Sequence, residues 1–182
     1  YEDHYTFGRS VYKPLKSEVL AFYTYQKTGG LIHPGSLVNS LDRINTSGNK
    51  DSVRIAIDCS AADEGMTACA LVAVTLYTPD VFAPHLLSYQ REILAQYQDA
   101  SLAGACKDEW GFPGRFEPKT NELWYSRYMA AAYAKRHHGH ELLRDMLLMS
   151  YGEVGRETER VTAIGHYMEM YWKRNGEIET DY

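Results

Sequence analysis

Two adjacent carboxylates, Asp108 and Glu109, follow a short apolar run at 102–106 and stand directly before Trp110. A run of this length is typical of a buried strand. Enzymes with parallel α/β folds keep catalytic carboxylates at the C-terminal ends of such strands. A carboxyl group placed beside an indole can have its pKa raised toward the range of a general acid. The pattern therefore favours acid–base chemistry, with Glu109 as the acid.

The two carboxylates are not expected to face each other across a substrate. Neighbouring side chains on a strand point to opposite faces of the sheet. Asp108 is therefore predicted to orient the substrate or to support Glu109. The alternative is that both are ordinary strand-end charges that accept hydrogen bonds from loop amides, and the residues alone favour neither interpretation.

Four side chains around this pair are candidates for substrate binding: Lys107, Trp110, Phe112 and Arg115. Aromatic side chains after a strand can stack on the apolar face of a ring, but they serve equally well as packing. We assign the stacking role to Trp110 only. Arg115 could bind a substrate carboxylate, although an ion pair with Glu117 is the favoured interpretation.

A second group of polar residues, His137, His138, His140 and Glu141, has one spacing that suits a metal. His137 and Glu141 stand four residues apart and would share one face of a continuous helix. Gly139 is expected to interrupt that helix, and cationic groups are favourable near a helix C terminus in any case. We therefore predict that these histidines do not converge, and we predict neither a metal site nor a cofactor.

The elements that must position these residues follow the order β-β-β-α-β-α-α-α. The predicted strands are 19–25, 53–57, 67–76 and 102–106, and the predicted helices are 84–98, 121–137, 141–150 and 156–174. The run 67–76 is almost wholly apolar and is predicted to be buried on both faces. Glycines at 139, 152 and 176 are predicted to end the last three helices. The buried stripe of the last helix is predicted at positions 161, 164, 167, 168, 171 and 172.

Composition bounds the class of protein. The chain has 182 residues, of which 45% are hydrophobic and 24% charged, enough for one domain with a core. The net charge of −5 and the absence of a basic run argue against a nucleic-acid partner. No apolar stretch approaches the roughly 20 residues of a membrane span. The first residue is Tyr1, so we expect a fragment of a longer protein, and the cellular location and oligomeric state stay open.

Three stretches together carry a resemblance to a known family. The segment 78–84 (TPDVFAP) leads into a helix, the segment 107–111 (KDEWG) ends a predicted strand, and the segment 125–130 (YSRYMA) lies in the next helix. In the order of their segments and in the residue types of each segment, residues 17–175 resemble bacterial (β/α)8-barrel glycoside hydrolases of the α-L-rhamnosidase and β-galactosidase-like kind. A full barrel takes about 250 residues, so the chain would hold part of one.

The resemblance implies an α/β fold: a partial TIM-type (β/α)8 barrel with an N-terminal antiparallel β excursion and C-terminal helices. Residues 1–182 would form one partial catalytic domain, with a β-rich part at 1–78 and a barrel portion at 79–182. It further implies hydrolysis of O-glycosidic bonds in a plant or microbial polysaccharide or oligosaccharide, with carbohydrate as the partner. The second carboxylate that this reaction needs would come from outside the chain. A non-catalytic carbohydrate-binding or interaction module is the alternative.

Overall fold

The computed structural model describes residues 5–6, 9–10, 15–50, 52–75, 80–101 and 123–181 of the chain. The chain divides into two compact units. The β unit comprises residues 1–79 and 151–157, and the helical unit comprises residues 80–150 and 158–182. Among the described residues, no helix is both long and apolar enough to cross a membrane.

The β unit is built from short antiparallel sheets. Its strands are β1 (Tyr5–Thr6), β2 (Arg9–Ser10), β3 (Lys16–Tyr25), β4 (Lys27–Thr28), β5 (Leu31–Ile32), β6 (Val38–Asn39), β7 (Ile44–Gly48), β8 (Val53–Ile57) and β9 (Thr67–Thr75). The pairs are β1 with β2, β4 with β5 and β7 with β8, and β3 lies between β6 and β9. Every one of these strand pairs is antiparallel.

The core of the β unit lies along β3. Residues 21–25 of this strand are all buried, which means that both faces of the strand are covered there, since successive side chains alternate. Strand β9 pairs with β3 from Thr67, opposite Tyr25, to Thr75, opposite Lys16, but none of its residues is buried. The prediction that 67–76 is buried on both faces is therefore wrong. The strand with both faces covered is β3, with which β9 pairs.

A hairpin formed by β7 and β8 explains one glycine. Gly48 has a φ of 145°, and a Cβ atom there would lie 2.1 Å from the backbone oxygen of Ser52. Only glycine fits this close approach. The sequence predicted β8 at 53–57 correctly, but it gave no strand for the polar partner β7.

Four helices follow the sheets: α1 (Leu86–Ala95), α2 (Arg127–Arg136), α3 (Leu142–Tyr151) and α4 (Glu157–Glu179). Helix α2 begins after Ser126, whose hydroxyl accepts a hydrogen bond from the backbone N–H of Met129 at 3.0 Å. Gly139 and Gly152 adopt the left-handed conformation expected after α2 and α3. Gly176 lies inside α4 rather than after it, so the predicted end of that helix is wrong.

The core of the helical unit is formed mainly by α3 with one face each of α2 and α4. Six of the ten residues of α3 are buried. Its fully buried neighbours are Met129 and Tyr133 from α2, and α4 contributes Ala163, Tyr167, Met170 and Ile178. Of the predicted stripe on α4, only Tyr167 is buried, while Val161, Ile164 and Trp172 are exposed.

The predicted partial barrel is wrong. A (β/α)8 barrel consists of parallel strands, each followed by a helix. In the described residues, every strand pair is antiparallel and all strands precede the four helices. The physical reason lies in strand pairing: the apolar run 67–76, whose composition suits a parallel strand buried on both faces, contains β9, which pairs antiparallel with β3 along nine residues. The predicted strand at 102–106 lies outside the described residues.

Candidate metal site

The turn between α2 and α3 brings two histidines to the same side of the chain. His137 caps α2, and the next two residues both have positive φ, 54° at His138 and 87° at Gly139. The backbone N–H of Gly139 donates to the oxygen of Ala134 at 2.9 Å, which closes the helix end. His140 follows before α3 begins. His138 is exposed, whereas His137 is buried and His140 half-buried.

A carboxylate lies at the centre of this region. Asp145, on the first turn of α3, is 2% exposed. Its Oδ2 accepts a hydrogen bond of 2.6 Å from the hydroxyl of Tyr133 and lies 3.0 Å from Nδ1 of His140. A buried charge is tolerated only when it is paired or hydrogen-bonded, and these two contacts meet that need. They therefore hold the carboxylate in place.

The phenol of Tyr133 is held as a hydrogen-bond donor. Tyr133 is fully buried on α2. Burial, together with the hydrogen bond to Asp145 and the charge of that carboxylate, raises the pKa of Tyr133 above its ordinary value. The hydroxyl thus stays protonated at physiological pH and keeps donating to Asp145.

A third histidine approaches from α4. The ring of His166 stacks on that of His137, with centroids 4.0 Å apart, and meets His140 edge-on at 5.0 Å. Burial and the neighbouring imidazole of His166 lower the pKa of His137, so that ring is neutral near pH 7. Two buried ring nitrogens, Nδ1 of His166 and Nε2 of His137, have no hydrogen-bond partner among the described residues.

Three of these side chains form a set of metal ligands. His140, Asp145 and His166 each offer one ligand atom, and these atoms all lie within 4.8 Å of one another. Asp145 is buried, and the two histidines are half-buried. Imidazole nitrogen and carboxylate oxygen are ligands that Zn²⁺ and other first-row divalent ions accept. The site thus combines ligand chemistry, proximity and partial exclusion of water.

The sequence analysis identified only some of the residues of this site. The prediction that the histidines do not converge is wrong for His137 and His140, because the turn at Gly139 folds both toward His166. Glu141, the other half of the predicted metal spacing, is exposed. His166 and Asp145 were not singled out. A signal for Asp145 was present, since it is the only acidic residue of α3, a helix in which six of ten residues are buried.

The six residues predicted for catalysis and substrate binding lie outside the described residues. They are Lys107, Asp108, Glu109, Trp110, Phe112 and Arg115. Their assignment stays a prediction, and so do the glycoside hydrolase activity and the carbohydrate partner.

Comparison with known proteins adds no relative: no family model, no curated protein and no solved structure matches the chain. The function must therefore be argued from the site itself.

Proposed function

We propose that the helical unit binds a divalent transition-metal ion, zinc in the first place, through His140, Asp145 and His166. The observation that carries the proposal is the convergence of these three ligand atoms within 4.8 Å around a buried carboxylate. Two imidazoles and one carboxylate are a recurrent ligand set for zinc and for non-haem iron.

The distances suit an ion that draws its ligands together. Metal–ligand bonds of about 2.0–2.1 Å in a tetrahedral zinc site place the ligand atoms roughly 3.3–3.5 Å apart. His140 Nδ1 and Asp145 Oδ2 already lie 3.0 Å apart. The ligand atoms lie up to 4.8 Å apart, which exceeds the separation in a tetrahedral site by roughly 1.3–1.5 Å, and rotation of the two half-buried imidazoles acts to close this gap.

A hydrogen-bond network without a metal is the alternative. It accounts for Asp145, Tyr133 and one nitrogen of His140. It does not account for His166, whose buried Nδ1 has no partner in the described part of the chain. Leaving a buried polar atom unsatisfied costs about 1–3 kcal/mol. A ligand bond to a metal gives His166 a role that the network does not.

The number of ligands indicates the kind of site. Structural zinc sites use four protein ligands, whereas catalytic sites use three and leave the fourth position to water. Within the described part of the chain the site has three protein ligands, a number that favours a reactive ion over a purely structural one. A metal-bound water is a nucleophile near neutral pH, so the chemistry that this arrangement could support is metal-assisted hydrolysis.

Calorimetric titration of the chelator-treated chain with zinc chloride tests the proposal. We expect one equivalent to bind to the wild type. Asp145→Asn and His166→Gln should each abolish stoichiometric binding, because each removes one of three ligands. His138→Ala is the matched control, since it removes an exposed histidine from the same turn.

The outcome that contradicts the proposal is equally definite. A wild-type chain that takes up no zinc, or one whose uptake survives both ligand substitutions and is lost on His138→Ala, would show that the three side chains are not the site. Circular dichroism of each variant establishes that it is folded before its binding is compared.

A further inference from the structure

The hydroxyl of Tyr133 meets the carboxylate of the proposed site and no other ligand of it. Tyr133 lies on α2, is 0% exposed, and its hydroxyl donates to Oδ2 of Asp145 at 2.6 Å. The second oxygen, Oδ1, is 4.0 Å from the nearest guanidinium nitrogen of Arg144. The two oxygens of one carboxylate are therefore in different surroundings.

We infer that Tyr133 is a positioning residue that makes Asp145 bind the metal through a single oxygen and so selects zinc over larger, oxygen-preferring ions. This inference rests on the proposed metal site and deepens it. A carboxylate oxygen has two lone-pair directions. Tyr133 takes one of those on Oδ2, the oxygen that also meets His140, so an ion reaches Oδ2 only through its other lone pair; the two oxygens are thereby held unequal, which opposes their symmetric attachment to one ion.

Burial makes this constraint firm. Neither Tyr133 nor Asp145 can exchange its partner for bulk water, because both side chains are almost wholly inaccessible. Hydrogen bonds to an ionised acceptor are also stronger than those between neutral groups. The contact is thus expected to persist when a metal binds, as hydrogen bonds to ligating carboxylates generally do.

The mode of attachment affects which ion fits. Zn²⁺ takes four ligands in a tetrahedron, each through one atom. Ions such as Ca²⁺ and Mn²⁺ accept more oxygen ligands, and Ca²⁺ commonly takes both oxygens of a carboxylate. A carboxylate held to one oxygen therefore favours zinc. Removing the hydrogen bond from Tyr133 to Oδ2 frees the carboxylate to present both oxygens to an ion, and this should reduce the preference of the site for zinc.

The experiment compares Tyr133→Phe with the wild type and with Tyr167→Phe. Tyr167 is the matched control, because it is buried in the same unit and its hydroxyl donates instead to the backbone oxygen of Trp124. Tyr133→Phe should weaken zinc binding about 10- to 100-fold, the usual effect of losing such an outer hydrogen bond. The affinity for manganese should fall less, so the ratio of the zinc affinity to the manganese affinity should be smaller than in the wild type.

The spectrum of bound Co²⁺ separates positioning from mere support of the fold. Tetrahedral Co²⁺ has stronger visible bands than five- or six-coordinate Co²⁺. We expect these bands to weaken in Tyr133→Phe and to stay unchanged in Tyr167→Phe. A Tyr133→Phe protein that is less stable but keeps the wild-type Co²⁺ spectrum and zinc affinity would overturn the inference.

Infrared difference spectra of the wild type show whether Asp145 binds the ion through one oxygen or two, even if Tyr133→Phe does not fold. The spectrum of the zinc-loaded minus the zinc-free chain should show the wide carboxylate splitting of single-oxygen attachment. The narrow splitting of two-oxygen attachment would overturn the inference while leaving the metal site intact. A wild type that binds no zinc would instead remove the proposed function, and this inference with it.

Discussion

The two units each contain an aspartate, and the surroundings of these two aspartates differ. In the β unit, Asp63 meets Arg43 through both oxygens, at 2.8 and 2.9 Å, with the side chains 16% and 37% exposed. In the helical unit, Asp145 is 3% exposed at its side chain and meets a phenol and an imidazole. The difference teaches that the partners and the burial of a carboxylate, and not its presence alone, distinguish a local turn from a candidate site.

The contact at Asp63 has a local structural explanation. The carboxylate also accepts hydrogen bonds from the backbone N–H and the hydroxyl of Ser60, as the capping box of the short 3₁₀ helix Ala61–Asp63. Exposed ion pairs contribute little to stability. All polar atoms of Asp63 are thus explained without a ligand, whereas the cluster around Asp145 leaves two imidazole nitrogens without partners in the described part of the chain.

The sharpest way to break this comparison is Asp145→Ala in the metal-free chain. The substitution leaves the buried hydroxyl of Tyr133 without its acceptor and takes away the partner of His140. We expect a loss of about 2–4 kcal/mol in the free energy of unfolding, since each unsatisfied group costs about 1–3 kcal/mol. Urea unfolding followed by the helical circular dichroism signal measures it. A loss below about 0.5 kcal/mol would place Asp145 in the same class as Asp63.

Part of the fold could be predicted from the sequence, and the failures have physical causes. A strand was predicted correctly at 53–57 and within 67–76, and each of the four helices overlaps a predicted helix, because hydrophobic period and turn residues are local signals. Which strand is buried depends on how the strands pair. The apolar content predicted burial of 67–76, but β3 lies between β6 and β9 and is the strand that is buried. The barrel failed for the same reason, since strand direction is not a local property.

The site was missed through an error of one helical position. The predicted stripe of α4 contained 161, 164, 167, 168, 171 and 172, and it placed His166 away from the core. Only Tyr167 of that stripe is buried; the buried face also contains Ala163 and Met170, and His166 lies on that face three residues after Ala163. The aromatic and apolar residues of α4 are numerous on every side, so their period did not fix its orientation. The partners of His166 are also remote in sequence.

A smaller effect is expected at the start of α2, which carries Tyr133 into the site. The Ser126 hydroxyl accepts from the N–H of Met129, so Ser126→Ala leaves this donor unsatisfied. We expect a loss of about 1 kcal/mol in stability, the usual cost of removing a helix N-cap. Ser126→Asp is the matched control, because its carboxylate can accept the same hydrogen bond. Equal melting temperatures for Ser126→Ala and the wild type would contradict the assignment.

The smallest expected effect is the contribution of Asp63 to stability, which depends on pH. The hydrogen bond from Arg43, then those from Ser60, hold the pKa of Asp63 well below its ordinary value. A carboxyl whose pKa is lower in the folded state stabilises the fold above its unfolded pKa, and this contribution is lost as the pH falls through the folded value. The unfolded value is about 3.9, so the loss belongs below about pH 4.

Thermal melts of the wild type and of Asp63→Asn between pH 6 and pH 2 measure this contribution. The wild type should melt at the higher temperature at pH 6, and the difference should shrink as the pH falls below 4. Asp42→Asn is the matched control, since it removes an exposed carboxylate beside Arg43 but leaves the capping hydrogen bonds of Asp63 in place. A difference that grows on acidification has the wrong sign for a lowered pKa. It would show that the contacts with Arg43 and Ser60 do not lower the pKa of Asp63 in the folded chain.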